Sequence, residues 1–370
     1  MDSIKVLSLF DGISCGMIAL ERAGIKIEKY VAYEIDYDAI KISKKNYPEI
    51  EHKGDVFKAK YIEGEYDLLI GGSPCTYWSI ANKNRETINK GLGWDLFNQY
   101  LRALKEVKPK YFLYENNYSI SKEIQNAISK ELGVQPIMIN SLLVSAQSRK
   151  RLYWTNIPNI ALPNNKHIYL KDVLKIKNNE KTFDKIIKTE INFKVKVRKN
   201  QINKKELANY LREHKNKSNK EIAKFCNVPI TKVEHWFRLD NSFSIPDEEN
   251  WFKLKQCLNI KENYFDKEIT EFEYRDNKFD MAKRIYHING KYPTLTTQSG
   301  AGKRKNITDG KNLFCLTPLY CERLQTLPDN YTEGISDTKR FKVVGNGWTV
   351  DVIAHILKGL RTEANNKCNY

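Results

Sequence analysis

Short apolar runs alternate with longer amphipathic segments over residues 4 to 160, and this alternation constrains the fold more than any other feature of the chain. The runs have the length and the β-branched and aromatic content of buried strands, while the longer segments have helical periodicity. Strands are predicted at 4–10, 30–34, 66–70 and 111–115, and helices at 17–23, 37–46 and 96–107. Such βαβ units predict an α/β domain with a mostly parallel sheet.

The composition excludes several other classes of protein. Charged residues make up 29% of the chain, the mean hydropathy is -0.60, and no apolar run is long enough to span a bilayer. The N-terminus lacks the features of a signal peptide, and the seven scattered cysteines argue for a reducing compartment. We therefore expect a cytoplasmic protein with no membrane partner, and we predict no metal site.

The charge is positive and unevenly distributed. The chain has 62 Lys and Arg against 45 Asp and Glu, a net charge of +17, and 32 basic but only 19 acidic residues lie between Lys166 and Lys305. A basic region of this size favours a nucleic-acid partner. The alternative is a lysine-rich surface that is merely solvated.

Two turns that follow predicted strands are candidates for chemistry. Residues 10–16 form a glycine-containing turn before a helix, and Glu34 follows the second strand, a pattern typical of nucleotide binding. An ordinary strand–turn–helix would account for that pattern equally well. Cys75 follows a double glycine at a strand end, where parallel sheets bind ligands.

Taken together, the motifs resemble those of the cytosine-C5 DNA methyltransferases over nearly the whole chain except 164–285. The matching segments, in the order of that family, are Phe10–Gly16, Gly72–Cys75, Tyr114–Asn117, Gln147–Arg151, Tyr292–Thr296, Leu316–Asp329 and Gly345–Gly347. The resemblance implies a Rossmann-like methyltransferase domain that uses S-adenosylmethionine and acts on double-stranded DNA.

The resemblance also implies roles for individual residues. The Cys75 sulfur would attack C6 of a cytosine flipped out of the duplex, and Glu115 would hydrogen-bond N3 and the exocyclic amine. Arg151, with Arg149 behind it, would hold the base oxygen and orient Glu115. The implied cofactor contacts come from Phe10, Asp11, Gly12, Gly16, Glu34, Ile35, Asp55, Val56, Pro74, Leu96 and Asn346.

The chain departs from the family pattern at several of these positions. Ile35 stands where the family usually has a large aromatic residue, and Thr76 replaces the glutamine after the nucleophile. Trp78 replaces a phenylalanine, and Asn117 replaces the valine of the Glu-Asn-Val motif. The adenine-stacking partner and the contact near the vacated base position are therefore expected to differ here.

The alternation of apolar runs and amphipathic segments ends after Pro163. We predict a catalytic and cofactor-binding domain over 1–163, a mixed target-recognition domain over 164–335, and a segment over 336–370 that packs back on the first domain. A helical block at 203–260 contains a pattern that resembles a helix-turn-helix, with a turn at Asn227 and a second helix over 230–239. That helix would present Thr231, Lys232, His235 and Arg238 to DNA. The alternative is a small helical bundle that only spaces the recognition loops.

Three functions are compatible with these features. The first is a sequence-specific DNA methyltransferase that protects DNA in a restriction-modification system or a phage, with a cognate restriction endonuclease as a partner. The second is a tRNA methyltransferase of the same fold. The third is a DNA-binding regulator with an inactive methyltransferase domain, against which the complete set of Cys75, Glu115, Arg149 and Arg151 argues.

Overall fold

The predicted alternation of strands and helices builds a central sheet with helices on both faces. The structure is a computed structural model that describes residues 3–80, 82, 84–174, 186–188, 194–200, 202–276, 285–297 and 306–361. Parts of the basic stretch 166–305 lie outside these ranges. The chain divides into two compact units, one of residues 1–191 and 281–370 and the other of residues 192–280.

The central sheet lies in the first unit. The strands up to residue 155 are β1 (Ser3–Leu9), β2 (Lys26–Tyr33), β3 (Glu51–His52), β4 (Leu68–Gly71), β5 (Tyr111–Asn117), β6 (Ile137–Asn140), β7 (Gln147–Ser148) and β8 (Lys150–Thr155). All but β7 join one sheet in the order β3-β2-β1-β4-β5-β8-β6. Only β8 among these described strands runs antiparallel to its neighbours β5 and β6. The reversal from β1 to β4 makes the switch point at which such sheets bind ligands.

Helices cover both faces of this sheet. The helices up to residue 174 are α1 (Cys15–Ala23), α2 (Tyr37–Asn46), α3 (Leu92–Val107), α4 (Lys122–Leu132) and α5 (Leu170–Leu174). Buried side chains of α1 and α2 belong to one hydrophobic cluster, and those of α3 and α4 to another on the opposite face. The α2 bounds agree with the prediction, because the Asp36 side chain caps the first turn and Pro48 follows the last.

The C-terminal part of the chain completes this unit. Its strands, apart from β9 (Ile186–Lys188), follow residue 284, and its helices follow residue 317. The strands after residue 284 are β12 (Ile285–His287), β13 (Tyr292–Pro293), β14 (Asn306–Thr308) and β15 (Leu313–Cys315). The helices are α11 (Pro318–Leu324), α12 (Asp337–Asn346) and α13 (Val350–Leu357), and the intervening numbers belong to the second unit. A small sheet has the order β12-β14-β15-β9, and β13 pairs with β7. Helix α13 packs on α1, in the same apolar cluster.

The second unit is mainly helical. Its elements are β10 (Lys194–Arg198), α6 (Lys204–Glu213), α7 (Asn219–Cys226), α8 (Ile230–Trp236), α9 (Glu248–Leu258), α10 (Asp266–Thr270) and β11 (Phe272–Asp276). A separate apolar core includes Trp236 and Trp251. The predicted turn at Asn227 lies between α7 and α8, and Asn227 has a left-handed backbone with φ 56°, which asparagine tolerates. The predicted extension of α8 to residue 239 is wrong, because the backbone leaves the helix at Phe237 and Asp240 begins a turn that its side chain closes onto Ser242.

Candidate functional site

One cavity of about 280 Å³ lies where the turns after β1 and β4 meet the C-terminal end of β5. Its lining brings together many of the predicted residues, namely Phe10, Asp11, Gly12, Glu34, Pro74, Cys75, Glu115, Arg149, Arg151 and Asn346. Five predicted cofactor residues are not among those that line it: Gly16, Ile35, Asp55, Val56 and Leu96.

Those five residues have other surroundings. A Cβ at Gly16 would lie 2.4 Å from Ile70, so this glycine permits close packing of α1 on the sheet. Val56 is buried in the hydrophobic cluster beneath α3, and Leu96 lies on α3. The Asp55 carboxylate accepts a hydrogen bond from the Phe57 N–H, while the Ile35 side chain is 75% exposed.

The turn after β1 exposes its backbone to the cavity. Phe10, Gly12 and Ser14 all have positive φ, near 60°, and a Cβ at Gly12 would meet no atom within 4 Å. The turn therefore coils tightly and leaves open space beside its backbone at Gly12.

The Glu34 carboxylate at the end of β2 is fixed by backbone donors. Its Oε2 accepts a hydrogen bond from the Gly12 N–H at 2.8 Å, and its Oε1 accepts from the N–H groups of Ile35 and Asp36. Burial raises the pKa of Glu34, and these three N–H groups partly offset the rise. Because a carboxylate has about four acceptor positions, one on Oε2 remains for a ligand hydroxyl.

Asp11 is a buried carboxylate in the same turn. It accepts hydrogen bonds from the hydroxyls of Ser8, Ser14 and Tyr30, at 2.6 to 2.7 Å. Burial raises the pKa of Asp11, although the three hydroxyl donors counteract it. The network ties the turn to the first two strands and to the start of α1.

The thiol of Cys75 lies in a short 3-10 turn directly after β4, and the residue is half-buried. A Cβ at Gly72 would lie 2.9 Å from both the backbone oxygen and the Oε2 of Glu115. Only glycine lets the cysteine turn approach the end of β5 this closely. Beyond the turn, the Glu86 carboxylate accepts hydrogen bonds from the Trp78 indole and the Gly93 N–H, which anchors the following loop to α3.

Two donors hold the Glu115 carboxylate. The Arg151 Nε lies 2.9 Å from Oε1, and the Trp348 Nε1–H donates to Oε2, also at 2.9 Å. Glu115 and Arg151 lie on adjacent antiparallel strands, and both side chains are 12% exposed. The carboxylate is thus oriented toward the cavity from two sides by charge-assisted hydrogen bonds.

Arg149 donates hydrogen bonds to the backbone, and in the described part of the chain no hydrogen bond or ion pair joins it to Glu115. Its guanidinium donates to the carbonyl oxygens of Leu295, Gly345 and Gly347, at 3.0 to 3.1 Å. Burial lowers the pKa of Arg149 to about 10, and the neighbouring charge of Arg151 contributes. Arg149 therefore fixes the turn that presents Asn346 and Trp348 to the cavity.

Trp348 was not among the residues predicted from the sequence. This residue directly follows the Gly345-Asn346-Gly347 motif, and its indole reaches a carboxylate 233 positions earlier in the chain. The position of an aromatic residue next to a recognised motif was the sequence signal that could have identified it.

A second feature that was not predicted is the ion pair between Asp36 and Lys342, which lines the cavity with an Oδ2–Nζ distance of 2.6 Å.

The predicted DNA-contacting residues lie in the second unit, on or just after α8. Thr231 and Arg238 are exposed, and Lys232 and His235 are partly exposed. Three of them have partners within the unit. Lys232 forms an ion pair with Asp247, the His235 ring bonds the Ser242 carbonyl oxygen, and Arg238 donates to the Ser242 hydroxyl.

Within the described ranges, no cluster of three or more His, Cys, Asp or Glu residues is arranged to hold a metal ion. The same part of the chain contains no helix that is both long and apolar enough to cross a bilayer.

Comparisons with known proteins agree with the motifs. The sequence model of the C-5 cytosine-specific DNA methylases matches residues 4–362. Orphan methyltransferase M.SPRI of Bacillus phage SPR is 26% identical, with 97% of this chain and 98% of the phage protein covered. Type II methyltransferase M.BanI of Aneurinibacillus aneurinilyticus is 25% identical, over 96% and 95%. The structure of the Entamoeba histolytica methyltransferase EhMeth aligns with a TM-score of 0.58 at 16% identity, over 98% and 99% of the two chains, and shows the same fold.

Proposed function

Because the chain belongs to the C-5 cytosine-specific DNA methylase family, we propose that it methylates C5 of a cytosine in duplex DNA through a covalent adduct with Cys75. One observation carries this proposal: Cys75, Glu115 and Arg151 line the same cavity as the turn after β1. A two-substrate transfer requires a nucleophile, an oriented carboxylate and a ligand-binding turn in the same cavity.

The family uses S-adenosylmethionine as its methyl donor, and the residues present fit that molecule. The free acceptor position on Glu34 suits a ribose hydroxyl, and the open space beside Gly12 allows the backbone to approach the ligand. Phe10, Pro74 and Asn346 complete the proposed contacts. Asp55, Val56, Ile35 and Leu96 would contribute only from outside the cavity lining. When bound, the sulfonium supplies an electrophilic methyl group.

The residues of the chain would activate the cytosine. The Cys75 thiolate forms a bond to C6, and the displaced electron pair moves toward C5 and N3. Glu115, held by Arg151 and Trp348, hydrogen-bonds N3 and the exocyclic amine and stabilises this electron-rich ring. After methylation, the C5 proton passes to solvent water and the sulfur–C6 bond breaks, which restores the aromatic ring and releases the Cys75 thiolate.

The target base would have to leave the helix to reach this cavity. C6 of a stacked cytosine cannot approach the half-buried Cys75 thiol, so we propose that the base is flipped, at a cost of a few kcal/mol. Arg151 would then contact the base oxygen. Arg149 would not touch the base but would hold the backbone around Gly345 in place.

We propose that residues 164–335 serve target recognition, with 1–163 and 336–370 forming the catalytic part. In the helical unit, α7 and α8 would act as a helix-turn-helix in which Thr231, Lys232, His235 and Arg238 face DNA. The exposure of Thr231 and Arg238 supports this role. The internal partners of Lys232 and His235 mean that each would exchange an existing contact for one to DNA.

The biological role that we propose is protection of DNA in the cytoplasm of a bacterial host. One relative is named as an orphan phage methyltransferase and another as a type II methyltransferase. We propose that this chain is either a phage protective enzyme or the methyltransferase of a restriction-modification system with a cognate endonuclease.

A transfer assay tests the proposed reaction. Tritiated S-adenosylmethionine is incubated with the full chain and either unmethylated PCR-amplified genomic DNA or tRNA, with Cys75→Ser as the matched variant. We expect label in duplex DNA, none in tRNA, and at least a hundredfold loss in the variant. Label only in tRNA would establish the RNA alternative. Binding of DNA without transfer to either substrate would establish the regulator.

A further inference from the structure

The segment Arg212–Lys224, which joins α6 to α7 and runs along α7, concentrates exposed positive charge. We call it the basic segment. Its basic residues are Arg212, Lys215, Lys217, Lys220 and Lys224, all of them exposed. Among the described residues, none of these five side chains forms an ion pair with a carboxylate.

Three other lysines of the same unit form local ion pairs. Lys232 pairs with Asp247, Lys253 with Glu249 and Lys255 with Asp266, with N···O distances of 2.6 to 3.0 Å. Within the described part of the chain, the five basic side chains of the basic segment thus lack the carboxylate partners that these three lysines have. They lie within 13 consecutive residues, which concentrates unpaired positive charge in this segment.

The two acidic residues of the basic segment leave it with a net charge of +3, five basic minus two acidic residues. Glu221 is occupied by the capping box of α7, where its Oε2 accepts hydrogen bonds from the Ser218 N–H and hydroxyl. Glu213 lies at the end of α6, before the segment reaches α7. The side of α7 that faces solvent is therefore dominated by its lysines.

Three of the lysines share this side of α7. Lys220 and Lys224 are four residues apart and so lie one turn apart on the same face, away from the buried residues Ile222 and Cys226. The Lys217 Nζ lies 5.8 Å from the ring of Phe225, which is 47% exposed at the end of the helix. We call the three exposed lysines Lys217, Lys220 and Lys224, together with the exposed Phe225 ring, the patch.

We propose that this patch binds the phosphate backbone of double-stranded DNA and holds the helical unit on the duplex independently of base reading by α8. The inference rests on the proposed action on DNA. Neutralising phosphates with unpaired lysines releases counterions without first breaking an intramolecular ion pair, which contacts from Lys232 would require. The patch would therefore provide affinity for any sequence, while α8 provides selectivity.

The test compares two triple variants of the full chain. Lys217→Gln, Lys220→Gln and Lys224→Gln remove the patch, and Lys204→Gln, Lys205→Gln and Lys267→Gln remove the same charge from exposed positions elsewhere in the unit. Binding to a fluorescein-labelled duplex of random sequence is measured by anisotropy over a series of salt concentrations. Thermal melting and S-adenosylmethionine binding confirm that both variants are folded.

We expect the patch variant to bind this duplex at least tenfold more weakly than wild type. Its plot of log affinity against log salt should be less steep by about 2.7, which is about 0.9 for each lost phosphate contact. The control variant should change the slope by less than half as much. Equal slopes for the two variants would overturn the proposal, and so would a loss of tRNA binding with DNA binding unchanged. A wild-type protein that binds random duplex but transfers no methyl group would refute the proposed reaction and leave this inference intact.

Discussion

The hydrogen bond from Trp348 to Glu115 allows a quantitative prediction. The Nε1–Oε2 distance is 2.9 Å, and the Glu115 side chain is 12% exposed, so the bond is largely shielded from water. A hydrogen bond to a charged group contributes about 1.5–3 kcal/mol. Trp348→Phe keeps an aromatic ring in the cavity but removes the donor. If the bond orients the carboxylate for the transition state, the rate of methyl transfer should fall by about 10- to 150-fold.

The assay is single-turnover transfer from tritiated S-adenosylmethionine to DNA that the wild-type enzyme methylates, with both substrates saturating. Equilibrium binding of S-adenosylmethionine should change less than threefold, which separates orientation of Glu115 from loss of the cavity wall. Trp251→Phe is the matched control, because it removes an indole donor to the Asp266 carboxylate in the other unit. A Trp348→Phe rate within twofold of wild type, or a rate loss matched by Trp251→Phe, would refute the reasoning.

Two further predictions concern charge. Burial raises the pKa of Asp11 above its ordinary value of 3.8. Between these two pKa values the folded chain holds a proton on Asp11 that the unfolded chain has released. The contribution of Asp11 to the free energy of unfolding therefore falls as the pH rises through this range. Asp11→Asn should flatten that decline in denaturant unfolding between acidic and neutral pH, and parallel pH profiles would contradict it. Reversing Lys232 and Arg238 to Glu should weaken DNA binding and alter which sites are methylated, as methylome sequencing would report. Unchanged affinity and unchanged sites would remove α8 from the DNA interface.

The sequence predicted best those features that local signals encode. The prediction of a helix at 37–46 is confirmed by α2, which ends before Pro48, and the Asp36 side chain caps its start. The left-handed Asn227 could be expected because asparagine tolerates that geometry, and φ is 56°. By contrast, the early end of α8 depends on a turn closed by the Asp240 side chain, which the helical periodicity of the segment did not reveal.

The candidate site was predictable as a set of motifs but not as a set of contacts. The family resemblance pointed to Cys75, Glu115 and Arg151, and the structure gathers them around one cavity. The family resemblance did not reveal Trp348, because the contact of its indole with Glu115 depends on how α12 and β5 approach in three dimensions. Likewise, Val56 matches a cofactor motif in sequence, yet its side chain lies in the core.

The formation of a covalent bond between Cys75 and a cytosine is the central claim, and a mechanism-based trap measures it directly. The substrate is DNA in which 5-fluorocytosine replaces the cytosine that the enzyme methylates. The fluorine at C5 cannot leave as a proton does, so the sulfur–C6 bond should persist. With S-adenosylmethionine present, we predict a denaturation-resistant complex whose cross-linked peptide maps to Cys75, and none with Cys75→Ser. A wild-type enzyme that methylates the unmodified site but forms no cross-link at Cys75 would contradict the account.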